Sequence, residues 1–175
     1  RTLMHGRVYG QSRWDLLPEL AKHARTILET SDDEFIRDQL AVTLLAIPAM
    51  PEAIEFIDGW IAKSGPNMPR VGMLAWAKGC TADYDAAEAG WREVLAVSQD
   101  AEPDDVLFGI PWTARNLVDC FIEAGHLPRA QMVARTAWDR CKDLTTTSEE
   151  IDKRCRYVPW FPADPWMGLF HQAGL

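Results

Sequence analysis

Four polar side chains between residues 115 and 123 are spaced so that one face of a helix would hold all of them. Arg115, Asn116, Asp119 and Glu123 fall on a single helical stripe. On such a stripe the planar guanidinium of Arg115 can bind a carboxylate through two parallel hydrogen bonds. We therefore expect a polar recognition face. The simpler alternative is a solvated helix face on which Arg115 and Asp119 form an i, i+4 ion pair.

Covalent or metal chemistry has little support in the sequence. No G-x-S-x-G, H-E-x-x-H, P-loop or G-x-G-x-x-G motif occurs, and no two histidines have the i, i+4 spacing of helical metal ligands. Four cysteines, Cys80, Cys120, Cys141 and Cys155, have neither a zinc spacing nor the density of a disulfide framework. We expect reduced thiols, no catalytic residue, no metal and no cofactor.

Composition narrows the class of protein. The 175 residues are 47% hydrophobic and 25% charged, which is typical of a globular chain that can bury a core. A formal net charge of -8 and scattered basic residues oppose binding to a nucleic-acid backbone. No apolar run approaches the roughly 20 residues of a membrane span. No secretory signal is visible after Arg1, so we expect a cytoplasmic protein that binds neither nucleic acid nor membrane.

Two helices joined by a tight turn are predicted to position the polar stripe. In residues 114–140, apolar side chains recur with helical spacing on both sides of Gly125, which can take the positive φ that ends a helix. Pro128 suits the first turn of the second helix, and Ala130 and Ala134 are small enough for close packing. No segment alternates with the period of a strand, so the sequence predicts an all-α fold.

Caps and helix breakers predict the neighbouring boundaries. Gly79 is expected to follow the end of one helix as its C′ residue, and Thr81 or Asp83 to cap the next. The polar, proline-bearing residues 98–105 are expected to form a loop. The first helix of the hairpin is then expected to begin near Pro111.

The eight tryptophans fall into two groups. Those on apolar helical stripes are predicted to lie in the core: Trp14, Trp60, Trp91 and Trp138. Those off such stripes are Trp76, Trp112, Trp160 and Trp166. Exposed aromatic side chains commonly anchor binding surfaces. For the C-terminal pair, the simpler explanation is that they cover the end of a helix stack or dock onto a neighbouring domain.

Small residues recur at matched positions of the second helices. Ala53, Ala87 and Ala130 are 34 and 43 residues apart, and 34 is the period of tetratricopeptide repeats. The chain resembles that family in three units between Phe35 and Arg140. The matching residues are Leu40-Ala41, Leu44, Ile57 and Trp60-Ile61 in the first; Leu74-Ala75, Asp83-Tyr84, Ala87 and Trp91 in the second; and Leu117, Phe121, Gly125, Ala130 and Ala137 in the third. A HEAT-like or irregular helical bundle is the alternative.

The resemblance implies antiparallel helical hairpins stacked as a right-handed superhelix, an α-solenoid. Residues 1–175 would form a single helical-repeat domain, with units at about 35–66, 68–102 and 111–142. Partial units at 1–30 and 166–175 imply that the chain is a segment of a longer one, which could self-associate through these ends.

The resemblance also implies a concave groove, lined by the first helices, that binds a protein or peptide partner. Carried over by position, the groove residues are Asp38, Val42, Met73, Trp76, Trp112, Arg115, Asn116, Asp119 and Glu123. The expected function is a non-catalytic binding scaffold. One alternative is a regulatory domain that senses a ligand or signal peptide for an attached effector. An all-helical enzyme is the second alternative.

Overall fold

The computed structural model describes residues 17–46, 49–144 and 174, and every regular element in these ranges is helical. The α-helices are α1 (Leu17–Thr30), α2 (Glu34–Ala46), α3 (Met50–Ser64), α4 (Met68–Cys80), α5 (Tyr84–Val97), α6 (Pro103–Glu123) and α7 (Leu127–Cys141). A 3₁₀ helix, Ser98–Asp100, precedes α6. No strand occurs in the described ranges, so the predicted all-α class is confirmed there.

Several predictions concern residues outside the described ranges. These are the core position of Trp14, the roles of Trp160 and Trp166, most of the partial unit at 166–175, and the residues of the partial unit at 1–30 that precede α1. Cys155 lies outside them as well.

The chain divides into two compact units, residues 1–66 and residues 67–175. The first unit contains α1, α2 and α3, and the second contains α4 to α7. Prolines lie at the first or second residue of five helices, where the missing N–H of proline has no partner to lose; they are Pro18, Pro51, Pro69, Pro103 and Pro128.

In the first unit, all three helices pack against one another around a small apolar core. Ala41 and Leu44 of α2 and Ala53 and Ile57 of α3 have no exposed surface. Burial of these aliphatic side chains is the main favourable term for this unit.

In the second unit, α4 pairs with α5, α6 pairs with α7, and α4 also packs directly on α6. The core is larger and contains fully buried Trp91, Ile110, Leu117 and Phe121. The indole of Trp91 donates a hydrogen bond to Thr136 Oγ1 at 2.9 Å, so its one polar atom is satisfied inside the core.

Of the predicted turns in this unit, one is confirmed and another is wrong. Gly125 adopts φ +77° between α6 and α7, as the sequence indicates. Gly79, however, is still helical, and the positive φ of 66° after α4 belongs to Ala82. Asp83 then caps α5 by accepting a hydrogen bond from the Ala86 N–H at 3.2 Å.

The predicted start of α6 near Pro111 is also wrong. The helix begins at Pro103, and Pro111 lies buried in its interior. Val106 and Ile110 have no exposed surface, so the turns before Pro111 are held by apolar packing. That packing offsets the backbone hydrogen bond that an internal proline cannot make.

Candidate functional site

The α4–α6 pair positions most of the predicted groove residues. Three contacts between the helices identify their relative direction: Met68 with Gly109, Gly72 with Thr113, and Cys80 with Cys120. In each contact the α6 residue follows its α4 partner by 40 or 41 positions. Since the partners advance together along both helices, α4 and α6 run parallel. The pairing is what two first helices of consecutive hairpins would show.

Small side chains let these two helices approach closely. A Cβ atom on Gly72 would overlap Thr113 Oγ1, which is buried in the interface. A Cβ atom on Gly109 would lie 2.5 Å from the Met68 terminal methyl carbon. Glycine at these two positions, Gly72 and Gly109, therefore allows the close separation of α4 and α6.

Trp76 of α4 and Trp112 of α6 meet on this pair of helices. Their ring centroids are 5.8 Å apart and the planes are inclined at 85°, an edge-to-face arrangement. Both side chains are half-buried, so part of each indole faces solvent. The structure thus brings together two residues that sequence analysis placed in the groove from separate helices.

The polar stripe of α6 continues from this aromatic pair. Arg115 and Glu123 are exposed, and Asn116 and Asp119 are half-buried. The Asn116 amide donates to the Trp112 carbonyl at 2.9 Å, so this side chain is engaged with its own helix. Of the charged groups on the stripe, Arg115 and Glu123 are therefore the most accessible, and Asp119 is partly covered.

Met73, which was predicted to line the groove, lies in the core with 3% of its surface exposed. The reason is that α4 is covered by both α5 and α6 and buries most of its residues. A side chain at this position cannot contact a partner at the surface.

Asp38 and Val42, the remaining groove residues, lie on α2 in the first unit. Asp38 is half-buried, and burial raises the pKa of its carboxyl group. Val42 is 39% exposed, and Phe35 and Ile36 of the same helix are also exposed, at 71% and 43%. Of this apolar surface on α2, only Val42 was singled out from the sequence.

Two of the predicted core tryptophans are confirmed, and one is wrong. Trp60 is 3% exposed and Trp91 is fully buried, whereas Trp138 is 40% exposed. The buried stripe of α7 runs through Ala134 and Ala137. The neighbouring Ala137 takes the inward position, which turns Trp138 outward.

Sequence reasoning missed Arg37, the largest polar side chain in the core of the first unit. It is 1% exposed, and its guanidinium donates to the Ser31 carbonyl and to Ser64 Oγ at 2.9 Å. Ion pairs with Asp32 at 3.1 Å and Glu34 at 3.5 Å also belong to this Arg37 network. The network ties the α1–α2 turn to the end of α3. No sequence signal distinguishes a buried arginine from the exposed majority.

A cavity of about 170 Å³ lies between α4 and α5. Its lining is Val71, Leu74, Ala75, Lys78, Ala86, Ala89, Gly90 and Glu93. Lys78 and Glu93 are its only charged residues. In the described part of the chain, no three His, Cys, Asp or Glu side chains are placed to hold a metal ion. Burial raises the pKa of the Cys141 thiol to about 12, which disfavours the nucleophilic thiolate.

The described residues therefore define a class: an all-helical structure in which residues 68–141 form two packed hairpins, with an aromatic pair on the parallel first helices. Among the described helices, none combines the length and the apolar character needed to cross a bilayer. No protein-family model matches the chain, and no curated protein matches it in sequence.

Proposed function

We propose that residues 67–175 contain two successive units of a tetratricopeptide-like α-solenoid and that the chain binds a protein or peptide segment across α4 and α6. The aromatic pair Trp76–Trp112 is the anchor of this surface. The charged stripe of Arg115, Asp119 and Glu123 gives the bound segment its direction.

The aromatic pair is the observation that carries this proposal. A tryptophan offers a large apolar area with little conformational freedom to lose, and such side chains dominate the energetics of protein interfaces. The edge-to-face contact holds both indoles in place before a partner arrives, which lowers the entropic cost of binding. Their partial exposure leaves indole surface for a partner to cover.

The neighbouring charges indicate what the partner should contain. Arg115 follows Trp112 by three residues and is exposed, so a carboxylate beside an apolar side chain could engage both. Asp119 and Glu123 extend the stripe as acidic groups, which favours a basic residue farther along the segment. An extended peptide with an apolar, an acidic and a basic side chain is the preferred ligand.

A displayed library of short random peptides, selected on the whole chain, tests the proposal. Isothermal titration calorimetry would then measure the affinity of the enriched peptides for variants of α6. Trp112→Ala should weaken binding at least about tenfold, because a buried aromatic anchor is typically worth more than 1 kcal/mol. Arg115→Glu should weaken acidic peptides several-fold and should matter less at high salt.

Two matched variants on α7 test whether the loss of any exposed tryptophan or arginine, irrespective of its position, weakens binding. Trp138→Ala removes an exposed tryptophan and Arg135→Glu reverses an exposed arginine, both outside α4 and α6. Both should retain wild-type affinity, and circular dichroism should confirm that all four variants are folded. Equal affinity for Trp112→Ala, Arg115→Glu and wild type, or a library without enriched binders, would contradict the proposal.

A further inference from the structure

Cys80 and Cys120 are thiols in direct contact near the end of the α4–α6 interface. Their sulfur atoms are 3.5 Å apart, and neither forms a disulfide. Forty residues of chain separate them, so it is the parallel packing of α4 and α6 that brings the pair together. We infer that this pair is a modification site, which low-molecular-weight disulfides such as oxidised glutathione convert into an intramolecular disulfide joining the two helices.

The distance between the two sulfur atoms defines the movement that this bond requires. A disulfide requires an S–S distance of about 2.05 Å, so the two sulfurs must approach by roughly 1.5 Å. The α4 position next to Cys80 lies close to Cys120, since a Cβ atom built on Gly79 would lie 3.5 Å from the Cys120 Cβ atom. Rotation of the two cysteine side chains about χ1 moves their sulfur atoms relative to each other. The small residues of this interface therefore bring two sulfurs within reach of each other.

The two thiols differ in access, which assigns their order of reaction. Cys80 is exposed at the last residue of α4, whereas Cys120 is 6% exposed. The Cys80 thiol loses its proton and attacks oxidised glutathione, forming a mixed disulfide and releasing one glutathione thiolate. Cys120 then loses its proton and attacks the Cys80 sulfur, which releases the second glutathione. Overall, two protein thiols become one disulfide, and one oxidised glutathione becomes two reduced ones.

The bond would act on the helices that carry the aromatic pair. Cys80 lies one turn after Trp76 on α4, and Cys120 lies two turns after Trp112 on α6. A covalent link there holds the C-terminal ends of the two helices together. It also closes a loop that contains all of α5, which reduces the conformational freedom of the unfolded chain.

Oxidation of the whole chain in glutathione redox buffers tests this inference, in a Cys155→Ser background that removes the fourth cysteine. Peptide mapping by mass spectrometry without reductant should find the Cys80 and Cys120 peptides linked, with two hydrogens lost and no glutathione retained. The linked protein should melt roughly 5–10 °C higher than the dithiol form, and a reductant should reverse the shift.

Single variants separate the proposed sequence of steps from nonspecific oxidation. Cys120→Ser should stop at a stable glutathione adduct on Cys80, whereas Cys80→Ser should leave Cys120 unmodified over the same period. Cys141→Ser should behave like its parent, since Cys141 is buried elsewhere and contacts neither thiol in this pair. A stable adduct on Cys80 in the parent, a link that involves Cys141, or a dithiol that persists at the most oxidising ratio would overturn the inference.

Discussion

The two units of this protein hold their helices together in different ways. In the first unit, side-chain charges join the elements: the Arg37 network connects the α1–α2 turn to α3, and Arg25 pairs with Glu55 across α1 and α3 at 2.9 Å. In the second unit, Arg129 of α7 also pairs with Asp85 and Glu88 of α5, but α4 meets both of its neighbours at glycine and alanine. Gly72 lies against Thr113, and Gly90 lies against Ala75.

This difference determines what each unit can do. Contacts at glycine and alanine recur along a helix, so they can align two parallel helices at several points along their length. This alignment places side chains such as Trp76 and Trp112 next to each other. The buried guanidinium of Arg37 acts at a single point of the first unit. Its planar donors can be satisfied only if the surrounding acceptors take one arrangement. We therefore expect the first unit to be sensitive at one residue and the second to be sensitive to added volume along the α4 contacts.

The largest effect is expected for Arg37→Met, which keeps most of the side-chain volume but removes the guanidinium. The Ser31 carbonyl and Ser64 hydroxyl then lose the donor that joins the α1–α2 turn to α3. We expect a loss of about 2–3 kcal/mol in the free energy of unfolding, because several hydrogen bonds from one charged group are removed together. Urea denaturation measures the loss, and hydrogen exchange should localise it to α1, α2 and α3.

Arg25→Met is the matched control in the same unit. Arg25 also forms an ion pair, but its side chain is 63% exposed, so water can replace the contact. Its unfolding midpoint should stay within error of wild type. If both arginine variants behave alike, or if protection is lost equally in α4 to α7, burial of the Arg37 network does not explain how the first unit is held together.

The next effect is expected for Gly90→Ala in the second unit. In an unconstrained helix, this change stabilises by about 1 kcal/mol. Here the new Cβ atom would lie 2.8 Å from the Ala75 Cβ atom and 3.3 Å from the Ala75 Cα atom, neither of which can rotate away. We expect overpacking to exceed the gain and to leave a net loss of about 1 kcal/mol, measured by urea denaturation.

Gly59→Ala in the first unit provides the contrast. Its Cβ atom would meet only the end of the Leu28 side chain, at 2.5 Å, and a leucine methyl group on a half-buried side chain can move. This variant should therefore be neutral or more stable. A Gly90→Ala protein that is more stable than wild type would show that α4 and α5 are not limited by backbone contact.

Local sequence signals correctly predicted helix ends that depend on a single residue. Gly125 ends α6 with a positive φ, Asp83 caps α5, and Pro128 lies in the first turn of α7. The start of α6 was missed because Pro111 is a strong local breaker, and the burial of Val106 and Ile110 that overrides it is a tertiary effect. Likewise, Gly79 is a good helix terminator, but the backbone turns at Ala82 instead.

The candidate site was predictable only in part, because it depends on how α4 and α6 align. Helical periodicity identified Trp76 and Trp112 as lying off the apolar stripes, but their contact follows from a 40- or 41-residue register between parallel helices. Alanine spacing in the sequence gave 43 for the corresponding interval. Met73 is buried because two helices cover α4, and a pattern within one helix carries no information about the number of its neighbours.

The smallest effect is expected for Asp38, because its burial lowers the stability of the first unit at neutral pH instead of raising it. Burial raises the pKa of this carboxyl group, so the folded state binds its proton more tightly than the unfolded state, whose aspartate pKa is about 3.9. The cost of ionisation therefore develops as the pH rises through the unfolded and then the folded pKa, and it is complete at neutral pH. Asp38→Asn should remove it and raise the melting temperature at pH 7 by at most about 2 °C.

The pH dependence distinguishes this mechanism from a general effect of the amide. The advantage of Asp38→Asn should shrink as the pH falls toward about 4, where the wild-type carboxyl group is increasingly protonated. Glu55→Gln is the exposed control: Arg25 lowers the pKa of the Glu55 carboxyl group, which is the opposite direction, but water screens this pair, so the variant should change the melting temperature less than Asp38→Asn at either pH. An Asp38→Asn advantage that is the same at both pH values would mean that ionisation of Asp38 is not its cause.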